Sequence, residues 1–383
     1  MQFSMIFEAQ LANPTPERER QLLLDSVDQA VHGEEMGFDR VWAVEHHGLE
    51  RYAHMTASEV FLSWVAARTS RIRIGHGVIC MPFNYNHPVR VAERVGMLDA
   101  LSGGRLDVGG GRGSTRMEMG MYGVEPSATY PQMEESLRFL ANAWRKDEVD
   151  WHTDLLDVGP AKILPRPVQT PHPPLYMACS KRDTVRLAAA LGVGALVMGF
   201  AGPEEVKEMY DLYWDTVRTR TPERLVTTDT TDRFVALCPT IVLDDGDRAL
   251  RIGARGQRFF AESIAHWYGH GPAPAEDTED DDNIAALARD KEALVAKLNE
   301  ANIPARPQDT GTFNAEHAYG TAEDAIEYVQ RLAGIGVDEI MCLIQMGTVP
   351  QEVCMETIRQ WGETVIPHFR AAERAAERAG SRG

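Results

Sequence analysis

Two imidazoles and a carboxylate close an apolar run at Val41-Trp42-Ala43-Val44-Glu45-His46-His47. Histidine changes charge near neutral pH and can act as acid, base or metal ligand. Glutamate can orient it or exchange protons with it. Neither side chain gains from a buried strand. The run therefore reads as a strand whose carboxyl end carries a ligand site, where α/β proteins form them; the competing reading is an ion pair in a solvated loop. Neighbours on a strand face opposite sides, so His46 and His47 are predicted to have separate jobs rather than to chelate one metal. The fourth strand end supplies no His or Cys to complete a metal set, and no metal is expected.

Three further stretches could hold a ligand. Gly109-Gly110-Gly111-Arg112-Gly113-Ser114-Thr115-Arg116 follows a strand. Glycines admit close backbone approach, and Arg112 and Arg116 supply the forked donors that suit a phosphate; a solvated turn would look the same. The glycine spacing fails G-x-G-x-x-G, and no acidic ribose partner is in place, so a tightly held nicotinamide dinucleotide is not expected. Ala178-Cys179-Ser180-Lys181-Arg182-Asp183-Thr184 leads from a strand into a helix. Ser180 or Thr184 with the free N–H groups of that helix start would make an anion site, or would simply cap the helix. Gly75-His76-Gly77 interrupts a strand, as close approach by a ligand or another backbone requires.

The elements that position these residues alternate. Apolar strands are predicted to begin at 3, 39, 72, 105, 175, 194, 234 and 338, with amphipathic helices between them. Thr15-Pro16-Glu17 starts the first helix by capping, and Thr56-Ala57-Ser58-Glu59 reads as a capping box for the second. Strand–helix alternation implies a parallel sheet with right-handed crossovers. Eight such units predict a single (β/α)8 barrel over 1–370, with a doubly wound open sheet as the alternative. Residues 262–318 hold no strand pattern and an acidic run, Glu276 to Asp282, and read as an insertion or lid before the last βα unit. Residues 284–299 look helical, and 371–383 form a tail.

Composition narrows the partners. The 383 residues carry a net charge of -18, which argues against nucleic acid and against an anionic membrane surface. No apolar run is long enough for a membrane span, and MQFSMIFEAQ lacks the features of a secretory signal. Five scattered cysteines fit a reduced, cytoplasmic protein.

Taken together, EHH (Glu45 to His47), RIRIGHGVICMP (Arg71 to Pro82), NHPVRVAERVGMLDALSGGRLDVGGGRG (Asn86 to Gly113) and GIGVDEIMCLIQMG (Gly334 to Gly347) resemble the bacterial luciferase-like family of flavin-dependent monooxygenases. The resemblance implies a (β/α)8 barrel that binds FMN, or the deazaflavin F420, at its carboxyl-terminal face. It implies that His46 is catalytic beside the flavin, that Gly77-Val78 is a non-prolyl cis peptide shaping the flavin pocket, and that Arg112, with Ser180 or Thr184, holds the flavin phosphate. A second phosphate arginine of luciferase aligns near Tyr130, which carries no charge; Arg116, Lys181 or Arg182 would compensate. The implied activity is a two-component monooxygenase: a separate flavin reductase supplies reduced FMN, O2 adds at the flavin C4a, and a small organic substrate, such as a carbonyl compound, is oxygenated. F420-dependent hydride transfer and a non-catalytic flavin-binding subunit are the alternatives. The family often dimerises through barrel helices, so a homodimer is an expectation. Phe83, Tyr85 and Trp267 are expected at the mouth of the site.

Overall fold

Short runs rich in Val, Ile, Leu and Met leave no polar face for water, so each must be covered on both sides, as in a parallel barrel. The computed structural model describes residues 1–198, 202–274 and 317–380. Its strands are β1 (Gln2–Phe7), β2 (Arg40–Ala43), β3 (Arg73–Cys80), β4 (Leu106–Gly111), β5 (Val149–His152), β6 (Asp157–Ala161), β7 (Leu175–Cys179), β8 (Gly194–Val197), β9 (Phe234–Val242), β10 (Ala318–Gly320) and β11 (Glu339–Leu343). Eight of them pair in parallel in the ring β1-β2-β3-β4-β7-β8-β9-β11, and β11 returns to β1. These are the eight strands the sequence predicts. The barrel is closed, which settles the choice against an open sheet.

The outer layer comprises α1 (Pro16–Glu35), α2 (Ser58–Arg68), α3 (Pro88–Ser102), α4 (Arg116–Tyr122), α5 (Thr129–Ala143), α6 (Arg182–Leu191), α7 (Pro203–Thr219), α8 (Gly246–Gly269), α9 (Ala322–Ile335), α10 (Gln351–Gln360) and α11 (Ile366–Gly380). Thr15 caps α1 as predicted, accepting from Arg18 N–H with Pro16 in the first turn. The predicted box at the start of α2 is absent: Ala57 is the cap residue and no side chain caps it. Ser58 instead reaches inward, its Oγ 2.9 Å from His76 Nδ1.

Three elements depart from the sequence reading. Val149–His152 and Asp157–Ala161 form an antiparallel hairpin, and Ala318–Gly320 extends the sheet beside the upper half of β9. The boundary placed at 262 falls inside α8, whose buried face runs from Phe259, Phe260 and Ala261 across it to Ser263. The rest of the predicted insertion, including the helix at 284–299, falls on 275–316, outside the described residues.

The amino-terminal end of the barrel is closed by charge. Arg40, 3% exposed, donates through Nε to Asp107 Oδ2 at 2.7 Å and pairs through Nη1 with Glu339. Arg73 donates to both oxygens of Asp107 at 2.8 Å, and Trp42 Nε1 donates to Glu339 Oε1 at 2.8 Å. The Arg40 guanidinium also stacks 5.1 Å from the Trp42 ring. Two cations meet two anions, so the buried charge is balanced.

Candidate active site

At the opposite, carboxyl-terminal ends of the strands lies a cavity of about 1120 Å³. Ile6, Val44, Leu237 and Leu343 give it an apolar wall, and Glu8 and His46 stand one strand step beyond Ile6 and Val44. Even-numbered residues of β2 and its extension point inward. Trp42 packs edge-on to Tyr176 inside the barrel, and Val44 and His46 line the cavity above.

His46 is fixed by a carboxylate. Its Nδ1 lies 3.0 Å from Glu118 Oε1 and 3.2 Å from Ser114 Oγ. Glu118 is fully buried on α4. It also accepts from His47 N–H at 3.1 Å, from Thr115 N–H at 2.9 Å, from Thr115 Oγ1 at 2.8 Å and from the Ser114 hydroxyl. Burial would raise the Glu118 pKa, but the hydrogen bond and charge of His46, with Ser114 and Thr115, outweigh it and hold the carboxyl at about 2. Burial likewise opposes the charged form of His46, and the hydrogen bond and charge of Glu118, with Glu8 and Glu45, reverse that and raise its pKa. A fixed carboxylate on Nδ1 selects the tautomer and leaves Nε2 for the cavity.

His47 turns the other way, as the pleat requires. Its Nε2 lies 2.9 Å from Glu45 Oε1 and its Nδ1 3.1 Å from the Tyr122 hydroxyl. Its ring stacks on Tyr85 at 5.7 Å. Glu45 accepts further bonds from Asn86 Nδ2 at 2.8 Å and Cys80 N–H at 3.0 Å. One ligand atom each of Glu45, His47 and Cys80 lie within 4.8 Å of one another. No spacing in the sequence announces this set, because Cys80 reaches it from the end of β3; hydrogen bonds engage all three groups.

The Gly77–Val78 peptide bond is cis, and both residues line the cavity. The glycine run of β4 answers to this neighbour. A Cβ on Gly109 would fall 2.4 Å from the His76 carbonyl, and one on Gly111 2.4 Å from Val78 Cγ2. Close approach between two strands, rather than a ligand alone, therefore demands glycine here.

Arg112 lines the cavity with Tyr130, Ser180, Lys181 and Thr184. Its guanidinium lies 5.1 Å from the Tyr130 ring centroid, and among the described residues it makes no ion pair. Tyr130 thus supports Arg112 from its face. Of the three compensating cations, Lys181 borders the cavity; Arg182 pairs with Glu208, and Arg116 borders a smaller side pocket with Trp267. The Thr184 hydroxyl donates to Lys181 C=O at 2.8 Å and accepts from Lys181 N–H at 3.1 Å. The Ser180 side chain is exposed and faces the cavity.

The expected mouth aromatics are misplaced. Phe83 and Tyr85 do not line the cavity, and Trp267 donates to Glu50 C=O at 3.1 Å. Tyr52, Tyr130, Phe260 and Tyr268 line it instead, the last two from α8. Sequence assigns no role to Glu8, Tyr52 or Glu118, and Ser114 enters it only as part of the glycine-rich stretch. Glu8 ends the first apolar strand as Glu45 nearly ends the second, so the same signal was there. Thr115-x-x-Glu118 is a capping box, a pattern that by itself announces only a helix start.

A family model described as luciferase-like monooxygenase matches residues 1–339. Over 272 residues the chain is 30% identical to 4-hydroxyprotoasukamycin monooxygenase of Streptomyces nodosus subsp. asukaensis, covering 70% of this chain and 71% of that protein. It is 23% identical over 354 residues to the oxygenase component of a flavin-dependent trigonelline monooxygenase of Acinetobacter baylyi, covering 91% and 90%. The oxygenating constituent of 3,6-diketocamphane monooxygenase from Pseudomonas putida, solved with FMN, has the same fold, with TM-score 0.70, 16% identity and coverage of 96% and 98%. Other matches span about half of the relative: 47% of an uncharacterized Sinorhizobium fredii protein at 34% identity, and 55% of an F420-dependent glucose-6-phosphate dehydrogenase of Amycolatopsis mediterranei at 30%. Of these, the trigonelline monooxygenase is flavin-dependent, the diketocamphane constituent was solved with FMN, and the glucose-6-phosphate dehydrogenase is F420-dependent. No described helix is long and apolar enough to cross a membrane.

Proposed function

The chain belongs to the luciferase-like monooxygenase family, and we propose that it is the oxygenase of a two-component system that uses reduced FMN, delivered by a separate flavin reductase, and O2 to oxygenate a small organic substrate. The observation that carries this reading is the polarity of the cavity. The ends of the neighbouring strands β4 and β7 offer Arg112, without an ion pair among the described residues, Lys181 and the Ser180 hydroxyl; β1, β2, β9 and β11 offer an apolar wall and a fixed imidazole. A planar cofactor with a phosphate tail fits that division. Arg112 and Ser180 would hold the phosphate by charge-assisted hydrogen bonds, while Thr184 serves the helix start. Gly77, Val78, Ile6 and Val44 would face the ring system.

Reduced flavin, when bound, supplies the electrons that activate O2. The chain's own part is to exclude water and move protons. Leu237, Leu343 and Phe260 keep the inner wall dry. Glu118 keeps the Nδ1 proton of His46 in place, and the raised pKa lets Nε2–H deliver a proton into the cavity near neutral pH. The similarity to an oxygenase component supports the reductase partner. On the same reading residues 1–370 act as one unit with 371–383 as its tail, and exposed Val60 and Trp64 on α2 with Met97 and Leu101 on α3 form the contact of a homodimer.

The F420-dependent relative favours a second reading, hydride transfer with F420. Titration with FMN, reduced FMN and F420, followed by fluorescence, separates them: we expect reduced FMN to bind most tightly. With reduced FMN and O2, His46→Ala should retain flavin binding and lose product formation by about 100-fold or more, the scale of general acid–base catalysis. Product formation at the wild-type rate would remove His46 from the mechanism, and tighter binding of F420 would overturn the cofactor assignment.

A further inference from the structure

Glu8 ends β1 on the cavity wall, 4% exposed. Its Oε2 is buried without a hydrogen-bond partner and lies 3.9 Å from His46 Nε2. A buried polar atom left unpaired is costly, and such atoms concentrate where a ligand completes them. The separation is too long for a direct bond, yet two atoms so placed can each reach about 2.8 Å to one atom between them. Nδ1 of His46 is committed to Glu118, so Nε2 is the ring atom that shares this position with Glu8.

The titratable groups that face Glu8 are His46 and Tyr52 from the β2 end and its loop, Glu118 from α4 and Tyr268 from α8. Burial dominates at Glu8, with the His46 charge opposing and Glu118 adding, and the carboxyl rises to about 7. It therefore carries a proton through the lower neutral range and can donate it. Burial raises Tyr52 and Tyr268, and hydrogen bonding lowers Glu118 against burial, so none of these three titrates between pH 6 and 9.

We propose that Glu8 is a catalytic residue that receives, together with His46 Nε2, the carbonyl oxygen of an aldehyde or ketone substrate. The inference rests on reading the cavity as the substrate site. Two donors, the Glu8 O–H and the His46 Nε2–H, converge on one acceptor oxygen. When an oxygen nucleophile adds to the carbonyl carbon, it supplies the electron pair of the new C–O bond and the C=O π pair moves onto the carbonyl oxygen. Both donors then hold the developing negative charge, and neither proton has to leave. Donors preset around a developing oxyanion in a dry site are among the strongest catalytic devices. A protonated carboxyl serves in this way where its surroundings keep it neutral.

The test uses cyclohexanone, acetophenone and heptanal as probes, titrated by calorimetry without flavin and again with FMN. His46→Gln fixes one donor, leaving Glu8 as the titrating one. In that variant affinity should be level at low pH and fall about tenfold per pH unit above the Glu8 pKa. Losing the His46 charge, which lowers the Glu8 pKa, should move that fall above about 7. In Glu8→Gln/His46→Gln both donors are permanent amides, so affinity should persist and be flat with pH; Glu8→Leu should lose at least tenfold. Flat binding in His46→Gln, an unchanged pH fall in the double variant, or no binding of any probe would overturn the proposal. Ketone binding with the expected pH fall, in a protein that takes neither FMN nor F420, would leave Glu8 its role and remove the flavin reading instead.

Discussion

Replacing Glu118 by Gln changes one atom and one charge in the part of the site that is most tightly bonded. The amide oxygen can still accept from His46 Nδ1 and His47 N–H. The new NH2 group, however, stands where Glu118 Oε2 accepts from Thr115 N–H at 2.9 Å, so two donors face each other. The carboxyl is held at about 2 against an ordinary 4.5; at about 1.4 kcal/mol per unit this corresponds to roughly 3 kcal/mol of folding free energy. A lowered pKa in the folded state stabilises above the unfolded value and ceases to do so as pH falls through the folded one. The wild type should therefore exceed the variant by roughly 3 kcal/mol above about pH 5, and the margin should shrink as pH falls from about 4.5 towards 2. His46 supplies a second readout, because Glu118 is the main source of its raised pKa. NMR titration of the His46 ring should show that pKa dropping in the variant. Urea unfolding between pH 3 and 8 measures the stability margin. Equal stability at pH 7, or a His46 pKa that does not move, would show that Glu118 merely caps α4.

Glu8→Gln should behave in the opposite sense. A carboxyl raised to about 7 costs stability as pH rises from 4.5 to 7, so the variant should match the wild type near pH 4 and exceed it by roughly 3 kcal/mol at pH 8 in the same unfolding assay. Arg112→Ala should weaken FMN binding about tenfold to 100-fold, the value of a charge-assisted hydrogen bond, by flavin fluorescence, whereas Arg116→Ala should leave it unchanged. Ser180→Ala should also weaken FMN, while Thr184→Ala should cost about 1 kcal/mol of stability with FMN affinity kept. Arg40→Met should destabilise the barrel by about 3–5 kcal/mol without altering flavin affinity per folded molecule, since it acts at the other end; a loss of affinity would contradict that separation.

The barrel was legible because each of its strands is a short apolar run with a helix after it, and local patterning decides such elements. Where pairing is non-local the reading failed. Val149–His152 has Asp150 and His152 exposed and lacks the signature of a core strand; it exists by pairing with Asp157–Ala161. Ala318–Gly320 is three residues long and is held by the upper half of β9. In the site, strand alternation separated His46 from His47, and glycine spacing drew attention to Arg112. Tyr85 misled because an aromatic next to a strand end was taken to face the ligand, whereas it stacks on His47. Ser180 and Thr184 could not be told apart by spacing; in space both line the cavity, and the Thr184 hydroxyl also bonds the Lys181 backbone.

The two ends of the barrel bury charge in different ways, and the difference locates the chemistry. At the closed end Arg40, Arg73, Asp107 and Glu339 form a neutral set whose charged groups are paired with each other. Such a set rigidifies and offers nothing to a ligand. At the open end His46 and Glu118 form one pair, and Glu8 is left over with an unpartnered oxygen. Both clusters contain strand-end residues of similar burial, so burial alone does not separate structure from function. The unmatched carboxyl does, because an unpaired buried group is tolerated only where something else completes it. Sequence could show that Glu8 and Glu45 both interrupt apolar strands. Only the approach of β1, β2 and α4 in space shows that Glu45 is satisfied by His47, Asn86 and Cys80 while Glu8 waits beside His46.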